Sequence, residues 1–306
     1  MKKITKLIGN TPLYKATNIM NKYNLSSKLY LKLEKDNFSG SSKDRLVYFI
    51  IKDAIDKKII NKNTTVIEAT SGNTGISLSK ICNELNLKCI IVMPDTVSTE
   101  RIKMIEEFNS KVILTKGLYG MNGSIKKQKE LLKEISNSFC LDQFNNEIGI
   151  KAHYETTAKE IYKELDGNID IFISPVGTGT TFTGCSKYLK EQNKDIMCVA
   201  VEPLESNILN GGKIGLHDIE GIGAGFIPKT LDITLIDKVI DVKSSDAYFY
   251  TKELYIIEGL CCGISSGAAL LAGIILAKEY QNKNIVCILP DDGNRYYSKG
   301  VFNNWT

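Results

Sequence analysis

The sequence predicts an α/β protein whose parallel sheets are covered by helices. Two observations carry this. Short apolar, β-branched runs alternate with longer stretches that repeat apolar residues at helical spacing, and small or polar turns stand at several of the junctions. With 306 residues the chain has the length for about two domains of roughly 150 residues each.

Strands are predicted at 29–33, 65–67, 89–93, 112–115, 169–174, 197–201 and 285–289. Helical spacing joins Leu46, Phe49, Ile50 and Ala54; Leu78, Ile81 and Leu85; Tyr154, Ala158, Ile161 and Leu165; and Phe182, Cys185 and Leu189. A last, strongly apolar helix is expected through Leu270, Leu271, Ile274 and Ile275. The polar, Gly-containing stretch 145–149 is the candidate crossing point between domains.

Composition removes several function classes. Hydrophobic residues make up 43% and charged residues 24%, which excludes a disordered, collagen-like or coiled-coil chain. The net charge of +4 is spread along the length, so nucleic acid is not an expected partner. No run approaches about 18 apolar residues, so no membrane span is expected. The opening Met-Lys-Lys-Ile-Thr-Lys lacks the apolar core of a leader, and a cytoplasmic protein is the expectation. The eight cysteines lie mostly in apolar runs and read as buried free thiols. Without Cys-x-x-Cys, and with only His153 and His217, no metal site or His-based triad is expected.

Four segments carry chemistry. In Ser39-Gly40-Ser41-Ser42-Lys43-Asp44-Arg45, Lys43 stands where a Ser-rich turn becomes a helix. A positive helix end with partial desolvation favours the neutral amine that attacks an aldehyde. Thr70-Ser71-Gly72-Asn73-Thr74-Gly75 follows a strand and opens a helix, offering hydroxyls, an amide and backbone N–H groups to a carboxylate. Gly177-Thr178-Gly179-Thr180-Thr181 repeats that plan and reads as a phosphate cup. It is neither a Walker loop nor a dinucleotide fingerprint. Gly263-Ile264-Ser265-Ser266-Gly267-Ala268 precedes the apolar helix. Taken singly, each segment also reads as a capped turn.

Together and in this order, the segments resemble the cysteine synthase (O-acetylserine sulfhydrylase) and cystathionine β-synthase family of pyridoxal-phosphate (PLP) enzymes. The resemblance opens at Ile8-Gly9-Asn10-Thr11-Pro12-Leu13 and closes at Gly293-Asn294-Arg295-Tyr296. Between them it takes in Met93-Pro94-Asp95, Asp142-Gln143-Phe144 and Gly221-Ile222-Gly223-Ala224-Gly225-Phe226. It implies PLP fold type II, two three-layer α/β domains with largely parallel sheets and the cofactor in the cleft between them. A smaller, mobile substrate-binding domain would span 36–146, and a larger cofactor-binding domain 1–35 with 147–306. It further implies that Lys43 forms the Schiff base with the cofactor and that Gly177, Thr178, Gly179, Thr180 and Thr181 hold its phosphate. Asn73 would face the ring hydroxyl, and Ser265 would partner the ring nitrogen. Thr70, Ser71, Thr74 and Gln143 would bind the substrate carboxylate. A serine at the ring nitrogen leaves the ring a weaker electron sink than a carboxylate would, which favours prompt loss of a β leaving group.

The implied activity is β-replacement on a three-carbon amino acid through an α-aminoacrylate, with O-acetyl-L-serine and sulfide giving L-cysteine and acetate. One alternative is the same chemistry on L-cysteine, releasing hydrogen sulfide and forming lanthionine, serine or cystathionine. Another is a catalytically idle PLP-binding scaffold for serine acetyltransferase. A homodimer, with serine acetyltransferase as a possible partner, is also implied. Several residues depart from the family pattern: Thr180 replaces a usual glycine, Phe38 stands where a Pro or small residue is common, and 145–151 lacks the Asn-Pro pair usual before the family histidine, here His153. His153-Tyr154-Glu155-Thr156-Thr157-Ala158 looks closer to cystathionine β-synthase, whereas Gly223-Ala224-Gly225-Phe226 looks like cysteine synthase. Asp291-Asp292 adds acidic character at the end of the pocket.

Overall fold

The computed structural model describes residues 2–302. Its strands are β1 (Leu13–Lys15), β2 (Lys28–Leu33), β3 (Thr65–Ala69), β4 (Lys88–Pro94), β5 (Lys111–Thr115), β6 (Ser138–Phe139), β7 (Ile171–Pro175), β8 (Met197–Pro203), β9 (Lys238–Val242) and β10 (Asn284–Leu289). They build a six-stranded sheet in the order β1-β2-β10-β7-β8-β9 and a four-stranded sheet in the order β5-β4-β3-β6. Among the described residues only the strands β1 and β2 pair antiparallel; the other strand pairs are parallel.

The α/β expectation therefore holds, and each predicted strand is present. The strand expected at 169–174 begins later, at Ile171. The Asp170 backbone still pairs with Asn284 and Met197, at 3.0 and 2.9 Å, while its carboxylate takes the Asn284 N–H at 2.8 Å and the Lys283 ammonium at 3.0 Å. β1, β6 and β9 escaped the sequence reading. The first two are only three and two residues long, and β9 is an edge strand in which Lys238 and Asp241 interrupt the apolar run.

Side chains alternate across each sheet, which explains why the strands are apolar throughout. In β7, Ile171 and Ile173 enter one core while Phe172 enters the core on the opposite face. β10 divides likewise, with Ile285, Cys287 and Leu289 on one side and Val286 and Ile288 on the other. The helix Ile264–Glu279 covers the first face and the helix Thr180–Gln192, through Phe182, Cys185 and Leu189, the second. The small sheet shares its core with the helices Lys43–Asp56 and Asn73–Glu84, and Ile4 and Ile8 are buried in that core too.

Strand order reverses at β3 in the small sheet and at the β10/β7 boundary in the large one. Ligands of parallel sheets bind at the carboxyl ends of strands at such reversals. The 70–75 loop leaves β3 and the 177–181 loop leaves β7, so topology alone puts both at binding positions. The cysteines are all free; Cys140 and Cys261 are half-buried and the other six buried. Among the described residues no group of acids, His and Cys is placed to hold a metal, and no helix is long and apolar enough to cross a membrane.

Candidate active site

Lys43 is the first residue of its helix. The turn before it is pinned to the end of β10: the Ser42 N–H donates to the Pro290 carbonyl at 2.9 Å, and Ser41 bridges to Asp291. Burial pushes the Lys43 ammonium below its ordinary value; Asp291 and Glu34 oppose this, and Arg295 adds to it. The neutral amine expected from the sequence is thus favoured by desolvation.

The next two residues anchor the helix start. Asp44 is buried and accepts from Ser39 N–H at 2.6 Å and from the Ser39 and Ser77 hydroxyls at 2.5 Å each. Arg45, fully buried, forks onto Glu34 with two bonds of 2.7 Å and reaches Glu160 at 2.6 and 2.8 Å. Burial pushes Glu160 up, but Arg45 and Lys32 outweigh it and hold the carboxyl down at about 2. Bidentate, charge-assisted bonds of this kind fix orientation as well as distance.

A cavity of about 510 Å³ opens above Lys43. Thr70, Ser71, Asn73, Thr74 and Gln143 line it from the small-sheet side, and Gly177 and Thr178 from the large-sheet side. Thr74 donates to the Gln143 side-chain carbonyl at 2.6 Å, joining two of the residues expected to bind a carboxylate. Gly179 and Thr181 line a small recess beneath, shared with Lys43 and Gly177. Thr180 and Ser265 stand behind the lining. Thr180 is buried, with its hydroxyl 3.0 Å from that of Thr178. Ser265 is 2% exposed in the first turn of its helix, and its neighbour Ser266 has a buried hydroxyl without a partner among the described residues.

Sequence reasoning missed the polar frame around these residues. Asn73 donates its amide to Asp291 at 2.7 Å and accepts from Arg295 at 2.7 Å. Arg101 donates to the Ser71 carbonyl at 3.0 Å and is ion-paired across the cavity mouth with Glu220, which also takes Lys299 at 3.1 Å. Gly293 to Tyr296 belonged to the quoted motifs, but nothing in the chain's periodicity marks Arg101. His153 backs the cup: its ring contacts the Thr157 hydroxyl at 3.0 Å and the Thr181 hydroxyl at 3.1 Å. Burial pushes its pKa down to about 3, so the ring is neutral and serves as a hydrogen-bonding wedge. It opens the π-helical turn Tyr154–Ala158, a distortion that often accompanies functional sites.

Residues 4–291 match the family of pyridoxal-phosphate dependent enzymes. The chain belongs to that family. It is 47% identical to the cysteine synthase of Buchnera aphidicola subsp. Schizaphis graminum, over 97% of this chain and 94% of that one. Among solved structures it is similar to the cysteine synthase of Entamoeba histolytica, with a TM-score of 0.95 and 38% identity over 99% of this chain and 91% of the other. It is also similar to a hydrogen sulfide-producing enzyme of Fusobacterium nucleatum, with a TM-score of 0.92 and 42% identity over 96% and 97%.

Pyridoxal phosphate is accordingly the cofactor, and the residues present fit it. A lysine held toward neutrality stands over a cup at the N-terminus of the 13-residue helix Thr180–Gln192. In that cup a Cβ on Gly177 would lie 2.2 Å from the Gly221 carbonyl oxygen, so the loop backbone comes closer to its wall than any side chain permits.

Proposed function

We propose that the protein is a β-replacement enzyme that converts O-acetyl-L-serine and sulfide into L-cysteine and acetate. The observation that carries the reading is the convergence on one cavity of buried Lys43, the 70–74 loop with Gln143, and the 177–178 turn. Its likeness to proteins named cysteine synthase supports the choice of substrates. The likeness to a hydrogen sulfide-producing enzyme supports a second reading, release of sulfide from L-cysteine in the same site.

In this reading Lys43 Nζ holds the cofactor covalently, and Gly177, Thr178, Gly179, Thr180 and Thr181 bind its phosphate, with His153 fixing the Thr181 hydroxyl from behind. Asn73 is assigned to the ring hydroxyl and Ser265 to the ring nitrogen. When bound, the cofactor supplies the electron sink that makes an amino acid's α-proton removable. Thr70, Ser71, Thr74 and Gln143 hold the substrate carboxylate at the start of the helix Asn73–Glu84, where backbone N–H groups and the helix dipole favour an anion. With the cofactor bound, Lys43 Nζ would take the proton from Cα as acetate leaves Cβ, and would return it to Cα after sulfide has added at Cβ.

Residues 36–146 are proposed to move as a substrate-binding domain over 1–35 and 147–306, excluding water from the cavity. The small sheet lies within that span. A cytoplasmic homodimer completes the reading, and eight free thiols suit a reducing compartment. Serine acetyltransferase is the partner to test.

Borohydride reduction followed by peptide mapping should label Lys43, and a label elsewhere rejects the site. Mass spectrometry then separates the two activities. Cysteine formed from O-acetylserine and sulfide, faster than sulfide is released from cysteine alone, supports the synthase. The reverse order supports the second reading.

A further inference from the structure

The adjacent acids Asp291 and Asp292 have separate tasks in the structure. Asp292 is a cap: its carboxylate accepts the Asn294 N–H at 2.8 Å at the start of the 3₁₀ segment Gly293–Lys299. Asp291 is 1% exposed and turned inward. Its Oδ2 accepts from Asn73 at 2.7 Å and from the Tyr296 hydroxyl at 2.6 Å, while its Oδ1 is buried without a partner among the described residues.

The backbone leaves Asp291 little freedom. It bridges to Ser41, its carbonyl accepts the Gly263 N–H at 2.9 Å, and the Asp292 N–H donates to the Gly40 carbonyl at 3.0 Å. A Cβ on Gly263 would lie 2.0 Å from Oδ1, so the carboxylate rests directly on the backbone that opens the helix Ile264–Glu279. A single carboxylate is thereby fixed among the segments that present Lys43, Asn73 and Ser265. A buried carboxylate oxygen without a partner is costly, so its persistence in this position calls for a task.

We infer that Asp291 is a positioning residue of the reaction: it fixes the orientation of the Asn73 amide and, from the segment paired with the turn before Lys43, helps Lys43 Nζ keep the proton between its removal from Cα and its return. The inference rests on the function proposed above. The charged or titratable groups facing Asp291 are Lys43, Asn73's partner Arg295, Tyr296, Arg101 and Cys262, and Glu34 also acts on Lys43. Burial and Arg295 push the Lys43 ammonium down, whereas Asp291 and Glu34 push it up. Removing the Asp291 charge therefore makes Lys43 a weaker base, and the lysine becomes neutral at a lower pH.

The test uses the cofactor-loaded enzyme and Asp291→Asn, which preserves size and loses charge. The acid limb of the kcat profile is expected to move to lower pH. The plateau should fall about tenfold or more. In the resting protein, the pH-dependent transition of the bound cofactor's absorbance should also move down, and this readout requires no substrate. Tyr296→Phe removes a hydrogen bond without removing charge and should leave both transitions in place. If Asp291→Asn fails to load, Asp291→Ser is held to the same criterion. A neutral variant whose two transitions coincide with those of the wild type overturns the inference, whatever its rate. A wild-type protein that loads the cofactor but turns over neither O-acetylserine nor cysteine instead overturns the functional reading, and the absorbance titration still decides the role of Asp291.

Discussion

The 70–75 and 177–181 loops share one plan, a parallel strand running through small polar residues into a helix, yet the protein fills the space around Gly177 and Gly179 and leaves that around Gly72 open. Gly177 and Gly179 are hemmed in: added Cβ atoms would meet the Gly221 carbonyl oxygen at 2.2 Å and Leu231 Cβ at 2.7 Å, and Gly179 has φ +83°. The Thr178 carbonyl is held by Thr230 at 2.6 Å and the Thr181 hydroxyl by His153 at 3.1 Å. Gly72 has no such neighbour within 4 Å, and its φ of −119° suits any residue. Its loop is held by longer reaches, from Gln143 and from Arg101 at the cavity mouth. The difference suits the two ligands proposed for these loops. A resident cofactor rewards a prebuilt cup, whereas a substrate that must enter and leave requires a wall that can adapt.

The largest expected effect breaks the prebuilt side. Gly177→Ala drives a methyl group into the Gly221 carbonyl, where backbone rather than a flexible side chain must yield. Overpacking of this kind costs about 1–3 kcal/mol, equivalent to roughly five- to 150-fold weaker cofactor retention. Equilibrium dialysis against PLP measures it. Retention equal to wild type would mean that the cup is as adaptable as the opposite loop.

How far these features were legible follows from their range in the chain. The seven long strands and the two loops are local patterns, a run of apolar residues ending in small polar ones, and the sequence exposes them. The place of Lys43 at a turn-to-helix junction was legible because a serine-rich turn and an apolar helix flank it, whereas the role assigned to it came from the resemblance. The frame was not, because its partners are far apart in sequence: Asn73 meets Asp291 and Arg295 across more than two hundred residues. Nor could the two adjacent aspartates be told apart, since only the backbone pairing with 40–41 turns one inward. The short strands β1 and β6 lack the length to show a period.

A smaller effect is expected at the adaptable side's anchor. Glu220 pairs with Arg101, whose other nitrogen holds the Ser71 carbonyl, so Glu220→Gln loosens the 70–75 loop without touching it. The pair is partly exposed, with side-chain exposures of 10% and 26%, so its contribution falls in the range of about 0.2–1 kcal/mol. KM for the amino-acid substrate should rise by up to about fivefold while cofactor retention is unchanged. Added salt should raise the wild-type KM toward that of the variant and leave the variant nearly flat. A fall in kcat with KM unmoved would instead place the pair's effect on the chemical step.

The smallest effect is the sharpest test of the contrast, because the same substitution at the corresponding glycine should change sign. Gly72→Ala introduces a methyl group into open space at an extended backbone position. The folded chain accepts it without strain, and the unfolded chain loses freedom, which stabilises the protein by about 0.4–1 kcal/mol. The methyl group faces the cavity that Gly72 lines, so any penalty falls on substrate binding and appears as a modest rise in KM. Thermal unfolding of the cofactor-loaded protein should show a slightly higher midpoint than wild type, with an unaltered cofactor absorbance band. A lowered midpoint would mean that the 70–75 loop is as tightly specified as the 177–181 loop, and the distinction between a built wall and an adaptable one would fail.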